Sequence, residues 1–183
     1  ILVGTTGLLV SLHPSVPIKT MKQLIAYAKA NPGKLNFGSA GVGGLGHLSQ
    51  ELFRLQTKVN ITHIPYKGTG PVMNALLSGE VDSSFSSVVA SMPHVKAGRL
   101  RAIAVTAPKR LTALPNVATI GETLPGYDVT HWYGIWGAKD IPRDIVLRLN
   151  REFAKVLHTD AMKKWLLQEG LEAAGGPPED LEL

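Results

Sequence analysis

The segment Phe37-Gly-Ser-Ala-Gly-Val-Gly-Gly-Leu-Gly-His47 gathers the residues of this 183-residue chain best suited to chemistry. It joins a short apolar run to a helix-like pattern. Glycines let a backbone come close to a bound molecule, and amide N–H groups left open at a helix start attract an anion. Ser39 adds a hydroxyl. Phosphate or carboxylate fits such a turn physically.

Three enzyme readings of the turn compete. Gly41-Val-Gly43-Gly-Leu-Gly46 matches the G-x-G-x-x-G of dinucleotide sites, which also want an acid about 20 residues on to hold a ribose hydroxyl. No Asp or Glu occurs between Arg54 and Gly79. A nucleotide-hydrolase loop ends in Gly-Lys-Ser/Thr, whereas here His47 follows Gly46. A hydrolase elbow needs G-x-S-x-G, and Phe37 stands where its first glycine belongs. A nucleotide-binding enzyme using residues 41–46 stays as the alternative reading. No catalytic residues and no cofactor are expected. The six histidines, His13, His47, His63, His94, His131 and His158, form neither H-x-H nor H-E-x-x-H, so no metal site is expected. His47 sits on the first turns of a helix and has two readings: a hydrogen bond to a neighbouring loop, or ligand contact.

Two further segments bear on binding. Tyr66-Lys67-Gly68-Thr69-Gly70-Pro71 also joins a strand pattern to a helix start. It is either an ordinary connection capped by Thr69 or a second set of N–H donors. Ser83, Ser84, Ser86 and Ser87 surround Phe85 at a strand end, where ligands sit in open α/β sheets; they line a cleft or cap the next helix. Asp82 orients a loop or faces solvent. Trp132, Tyr133 and Trp136 read as packing for a core or hinge.

The elements that position these residues alternate. Thr20-Met-Lys-Gln23 is a capping box, followed by a helix burying Leu24, Ile25 and Ala28 and stopped at Asn31-Pro32-Gly33. Leu35 to Phe37 is a strand. The helix after the glycine turn carries Leu48, Leu52, Phe53 and Leu55 at helical spacing. Strands are expected at 61–66, 81–85, 100–106 and 129–136. Helices are expected from Thr69 to Ser78-Gly79 and over 88–97. Residues 107–128 read as connecting structure with at most one short helix. Pro142 to Leu157 is amphipathic, with Ile145, Val146, Leu149, Phe153, Val156 and Leu157 on one face, and a last helix covers about 161–169. This order argues for an α/β fold with a largely parallel sheet.

Composition narrows the partners. The chain is 44% hydrophobic and 18% charged, enough to bury a core and too little charge for a disordered polyelectrolyte. It has no cysteine, which excludes disulfides, thiolate metal sites and cysteine nucleophiles. The net +5 is uneven: +4 over residues 1–50, 0 over 51–82, +5 over 83–121 and −4 over 122–183. That split suggests two lobes or an anion-attracting face. Scattered bases and 6% aromatics give no nucleic-acid signature. The apolar stretch Ile1 to Leu12 is too short to span a bilayer and lacks the marks of a signal peptide. The chain begins without Met, inside this apolar stretch, as though in mid-fold.

An ordered set of segments carries a resemblance. They are Ile25-Ala-Tyr-Ala-Lys-Ala-Asn-Pro-Gly-Lys34, Phe37 to Gly43 with His47-Leu48, Glu51-Leu-Phe53, and His63-Ile-Pro-Tyr-Lys-Gly68. Leu77-Ser-Gly-Glu-Val-Asp82, Ala97 to Thr106, Arg110, Leu114-Pro115, Thr119, Glu122, Trp132-Tyr-Gly134 and Ala138 to Pro142 follow. Together they resemble the substrate-binding receptors of tripartite tricarboxylate transporters, the TctC or Bug family.

The resemblance implies a type II-like periplasmic binding protein that closes two lobes on a small carboxylated anion and hands it to membrane permease subunits. The anion would be a di- or tricarboxylate, an amino acid or an aromatic acid. The same fold could instead serve a ligand sensor for a membrane partner. It implies no catalysis, a periplasmic location and a monomer. The implied contacts are Ser39, Ala40, Gly41, Gly43, Gly44, His47, Gly68 and Thr69; Ser86, from the serine cluster, joins them as a candidate. Where the family usually has Ser or Thr, this chain has Gly44, so contact there must come from the backbone. Residues 1–9 are expected as a strand crossing from a first-lobe segment, 10–130 as the second, ligand-binding lobe, and 131–183 as the returning part of the first. The family's signal peptide and N-terminal segment, which supplies most of the first lobe, are expected to precede Ile1.

Overall fold

Leu8, Leu9, Val10 and Leu12 form a run buried on both faces, and a strand covered on both sides reads as continuously apolar. They belong to β1 (Leu2–Leu12). Leu8, Val10 and Leu12 enter one core cluster and Leu9 another, following the two-residue period of a strand. The computed structural model describes residues 1–181. After β1 come α1 (Met21–Ala30), β2 (Asn36–Ser39), α2 (Leu45–Thr57), β3 (Thr62–Pro65) and α3 (Thr69–Ser78). Then follow β4 (Ser83–Ser87), α4 (Val88–Lys96), β5 (Arg101–Val105), β6 (Thr130–Gly134), α5 (Arg143–Leu157), α6 (Asp160–Gln168), β7 (Glu172–Ala173) and a 3-10 turn, Pro178–Leu181.

The main sheet runs β3-β2-β4-β1-β5. β2 is parallel to β3 and β4, but β1 is antiparallel to β4, β5, β6 and β7. The sheet is therefore mixed, not largely parallel: β1 slots against the chain direction between β4 and β5, which the α4 crossover leaves apart. β1 also changes partners along its length. Leu8–Leu12 pairs with β4 and β5, and Leu2–Gly7 pairs with β6 and β7. Thr106 clamps the change-over. Its Oγ1 accepts from Leu8 N at 2.8 Å and donates to the Val129 carbonyl at 2.7 Å. Val129 N in turn donates to the Thr106 carbonyl at 3.0 Å.

Phe37, Phe53 and Phe85 centre the main cluster, with ring centroids of Phe85 6.0 Å from each of the other two. α1 starts as the sequence requires: Thr20 Oγ1 accepts from Gln23 N at 3.2 Å and Gln23 Oε1 accepts from Lys19 N at 2.8 Å. α2 differs from expectation. Its buried side is Ser49, Gln50, Phe53 and Thr57, while Leu48 and Leu55 are exposed. The polar residues fit because each finds a carbonyl: Ser49 Oγ donates to Leu45, Thr57 Oγ1 to Phe53, and Gln50 Nε2 to Gly38.

Residues 107–128 contain turns but no helix. They are tied by a two-pronged contact of Arg110 with Glu122 at 2.7 and 2.6 Å, and by Tyr127, whose hydroxyl donates to the Ser49 carbonyl at 2.7 Å. The α5 stripe departs further. Of its six apolar residues only Leu157 is buried, and Ile145, Leu149, Phe153 and Val156 are exposed. Amphipathic spacing gathers residues on a face; the described neighbours of α5, chiefly α6 and the 3-10 turn, are too small to cover that face. Trp132 and Trp136 likewise stand exposed, edge to face with each other at 6.0 Å.

Candidate ligand-binding site

β2 and β3 lie side by side and parallel, so the turns that follow them emerge at the same sheet edge. The ladder continues past the strand ends. Tyr66 N donates to the Ser39 carbonyl at 2.9 Å, and Gly68 N donates to the Ala40 carbonyl at 2.9 Å. This zips the Ala40–Gly44 turn to the Tyr66–Gly68 turn. Gly68 achieves it at a φ of 112°, a region that side chains rarely tolerate. It thereby takes the N-cap position, which places Thr69 inside α3 and not at its cap as its hydroxyl suggested.

Both helices at this edge begin bare. Gly44 caps α2 and Gly68 caps α3, and neither supplies a side-chain bond to the first-turn amides. Those amides lack intrahelical partners by construction, and together with the helix dipole they favour a negative group. α4, the third helix after a parallel strand, is different: Ser87 Oγ accepts from Ala90 N at 3.4 Å. The anion-attracting capacity is concentrated at α2 and α3. α2 is seated tightly, because a Cβ at Gly46 would stand 2.6 Å from the Phe85 carbonyl oxygen.

The side chains act mostly from beneath. Ser39 is 1% exposed. Its Oγ lies 2.6 Å from His63 Nε2, 3.2 Å from the Gly41 carbonyl and 3.3 Å from Gly41 N. It shapes the turn and presents no open hydroxyl. His47 folds back to accept from Gly43 N at Nδ1, 3.1 Å away, and its ring stacks on His63 with centroids 4.2 Å apart. His47 thus makes the loop hydrogen bond expected of it. Burial, then the neighbouring His47, lowers the His63 pKa from its ordinary value, with Glu51 opposing. Glu51 is itself held by Arg54 at 2.6 Å.

The structure brings Ser39, Ala40, Gly41, Gly43, Gly44 and His47 together with Gly68 and Thr69 at one edge. Ala40, Gly43, Gly44 and Thr69 are exposed there, and Gly41, His47 and Gly68 are half-buried. Three of the expected amide donors are already engaged, Gly41 by Ser39, Gly43 by His47 and Gly68 by Ala40. Ser86 is buried and shares a 2.6 Å bond with Ser84, Ser83 Oγ donates to the Ser11 carbonyl, and Ser87 caps α4. Asp82 orients the sheet: its Oδ2 accepts from Asn36 N at 2.7 Å. His63 opens a segment that carries the resemblance, but its contact with Ser39 had no sequence signal, since only the β2–β3 pairing brings the two together. Among the described residues no cluster of three or more His, Asp or Glu is arranged to hold a metal, and no helix is long and apolar enough to cross a membrane.

Residues 1–181 match the family described as "Tripartite tricarboxylate transporter family receptor" (TctC). The chain is 39% identical over 165 residues to the "UPF0065 protein in tcbD-tcbE intergenic region" of Pseudomonas sp. strain P51, covering 89% of this chain and 49% of that protein. Among solved structures it is similar to "R. palustris Rpa4515 with adipate", at 36% identity and a TM-score of 0.94, over 99% of this chain and 61% of that one. It is also similar to "MatC (Rpa3494) from Rhodopseudomonas palustris with bound malate", at 27% identity and a TM-score of 0.85, over 100% of this chain and 62% of that one. The chain spans about half the length of the Pseudomonas protein. These solved structures share its fold, that of type II periplasmic binding proteins.

Proposed function

The chain belongs to the tripartite tricarboxylate transporter receptor family, and on that premise we propose that it is the anion-gripping part of a solute receptor. Receptors of this family are periplasmic and bind solutes. Its ligand is a small carboxylated organic anion, taken up in the periplasm by a monomer and handed to the membrane permease subunits of a tripartite transporter, with no chemical step. The carrying observation is the pair of bare helix starts, α2 and α3, zipped edge to edge by the Ser39 and Ala40 carbonyls. Two such ends side by side suit a carboxylate, which accepts several N–H bonds at once. Residues 10–130 form the lobe that carries this grip, with Ser39 and His47 as shaping side chains. Residues 131–183 belong to the other lobe, and β1 crosses between the two. The adipate and malate of the two solved relatives are the natural first ligands. Titration calorimetry and thermal melts with adipate, malate, citrate, amino acids and NAD(P) test the reading. A carboxylate should bind with heat and raise the melting temperature. Protection by NAD(P) alone, or by nothing, refutes it.

A further inference from the structure

We infer that His47 and His63 form one proton-binding pair beside the anion-gripping turn, so that the receptor takes up its carboxylate together with a proton and holds it more tightly as pH falls. This rests on the carboxylate reading above and goes beyond it by adding a second, coupled ligand, the proton.

His47 is the third residue of α2, counted from its Gly44 cap. In a capping box that position holds Glu or Gln, which reaches back to an open amide while the cap side chain returns a bond. Here a titratable ring does the reaching, with Nδ1 accepting from Gly43 N at 3.1 Å, and Gly44 returns nothing. A ring nitrogen that accepts carries no proton. Protonation at Nδ1 therefore ends that bond. It frees the Gly43 amide and creates a second N–H on the ring, so one proton converts a consumed donor into two available ones next to the turn.

The electrostatics couple this event to the ligand. A bare helix start disfavours a cation, whereas an anion seated there favours one. The anion thus raises the affinity of the pair for a proton, and by reciprocity the proton raises affinity for the anion. The stacking at 4.2 Å limits uptake to one proton, because two imidazolium rings at that distance repel. Burial, then the neighbouring His47, lowers the pKa of His63. The remaining surroundings are few. α2 contributes Glu51, already held by Arg54, β2 contributes the Ser39 hydroxyl on His63, and exposed Lys67 follows β3. Ser39 can donate to His63 or accept from it, so it follows whichever state the pair adopts.

The test measures dissociation constants of the chain for adipate and for malate from about pH 8 to about pH 6, each corrected for the fraction of dianion, because the first carboxylate of a diacid holds back the second proton. Affinity should rise as pH falls, by up to about tenfold per pH unit for one linked proton. Calorimetry in buffers of different ionisation enthalpy should report uptake of a fraction of one proton on binding. H47N, which keeps an acceptor at the δ position and does not titrate, should abolish both effects. In the unliganded chain, the Gly43 amide resonance should titrate together with the His47 ring, a readout that needs no variant. Binding with constant affinity and no proton uptake, or a Gly43 amide indifferent to His47, overturns the inference and leaves the receptor reading standing. Where neither acid binds, the same titrations are run with citrate and amino acids, and failure of every one to bind at every pH refutes the receptor reading, and this inference with it.

Discussion

Gly46→Ala separates two ways of reasoning about the glycine turn. Helix propensity alone favours alanine over glycine by about 1 kcal/mol in a helix interior, and predicts a stabilised α2. The packing predicts the reverse. A Cβ at Gly46 would lie 2.6 Å from the Phe85 carbonyl oxygen, where even a close C–H···O contact needs about 3.3 Å. The obstructing atom is backbone. Phe85 is paired with Val10 of β1, so it has no rotamer by which to yield. α2 must therefore lift from the sheet by several tenths of an ångström, disturbing the contact of Phe53 with Phe85 beneath it. Overpacking of this kind costs about 1–3 kcal/mol. Gly46 is only the second residue of α2, so little of the propensity gain offsets it. The expected net loss is about 1–2 kcal/mol, or a melting temperature lower by about 2–8 °C for a chain of this size. Gly44→Ser is the internal control, because its Cβ meets nothing closer than 3.5 Å and serine caps helices slightly better than glycine. Thermal and urea unfolding of the two variants beside the parent check this. A Gly46→Ala chain as stable as the parent, or more so, refutes the argument that contact with β4 fixes the turn.

Two other perturbations probe the frame around the turn. Tyr127→Phe removes the buried donor to the Ser49 carbonyl and should cost about 1–2 kcal/mol. It should appear as a lower urea midpoint at unchanged slope, and an unchanged midpoint would show that the bond adds nothing. Glu122 is held at about 2, below its ordinary 4.5, first by its hydrogen bond with Arg110 and then by the Thr119 amide. A depressed carboxylate stabilises the fold above its unfolded pKa and loses that contribution as pH falls through the folded one. Glu122→Gln should therefore flatten the decline of melting temperature between about pH 4.5 and about pH 2. Curves that stay parallel to the parent would discount the pair.

The glycine turn was legible because its signal is local: glycine spacing after an apolar run, followed by a helical pattern, needs no knowledge of distant chain. The same locality explains the readings that failed. Strand direction is not written in composition, so the antiparallel course of β1 stayed hidden while its burial did not. The leucines of α2 obey helical spacing, yet its buried side goes to Ser49, Gln50 and Thr57. Each of those reaches a carbonyl that only the folded turn and helix supply. The α5 stripe shows the same limit from the other side, since an apolar face in sequence does not state what covers it. His63 is the sharpest case. It lies 24 residues from Ser39 and touches it only because β2 and β3 pair in parallel register.

Charge and grip also separate in this chain. Residues 1–121 hold twelve Lys or Arg against three Asp or Glu, a net +9, and residues 122–183 hold seven against eleven. That asymmetry can draw an anion toward one part of the molecule, but salt screens exposed charge beyond about 8 Å at physiological ionic strength. Near the turns the nearest bases do little more. Arg54 is engaged with Glu51, and Lys67 is exposed. What remains at close range is backbone: two helix starts without side-chain caps, fixed to each other by main-chain bonds and to β4 at Gly46. Backbone donors do not titrate and lose no rotamer freedom when a ligand arrives, so they can hold a carboxylate at any physiological pH. Beside the backbone, this edge carries the two imidazoles, the serine beneath them, exposed Lys67 and the exposed Thr69 hydroxyl. On the inference above, a change of pH acts on this grip through His47 and His63.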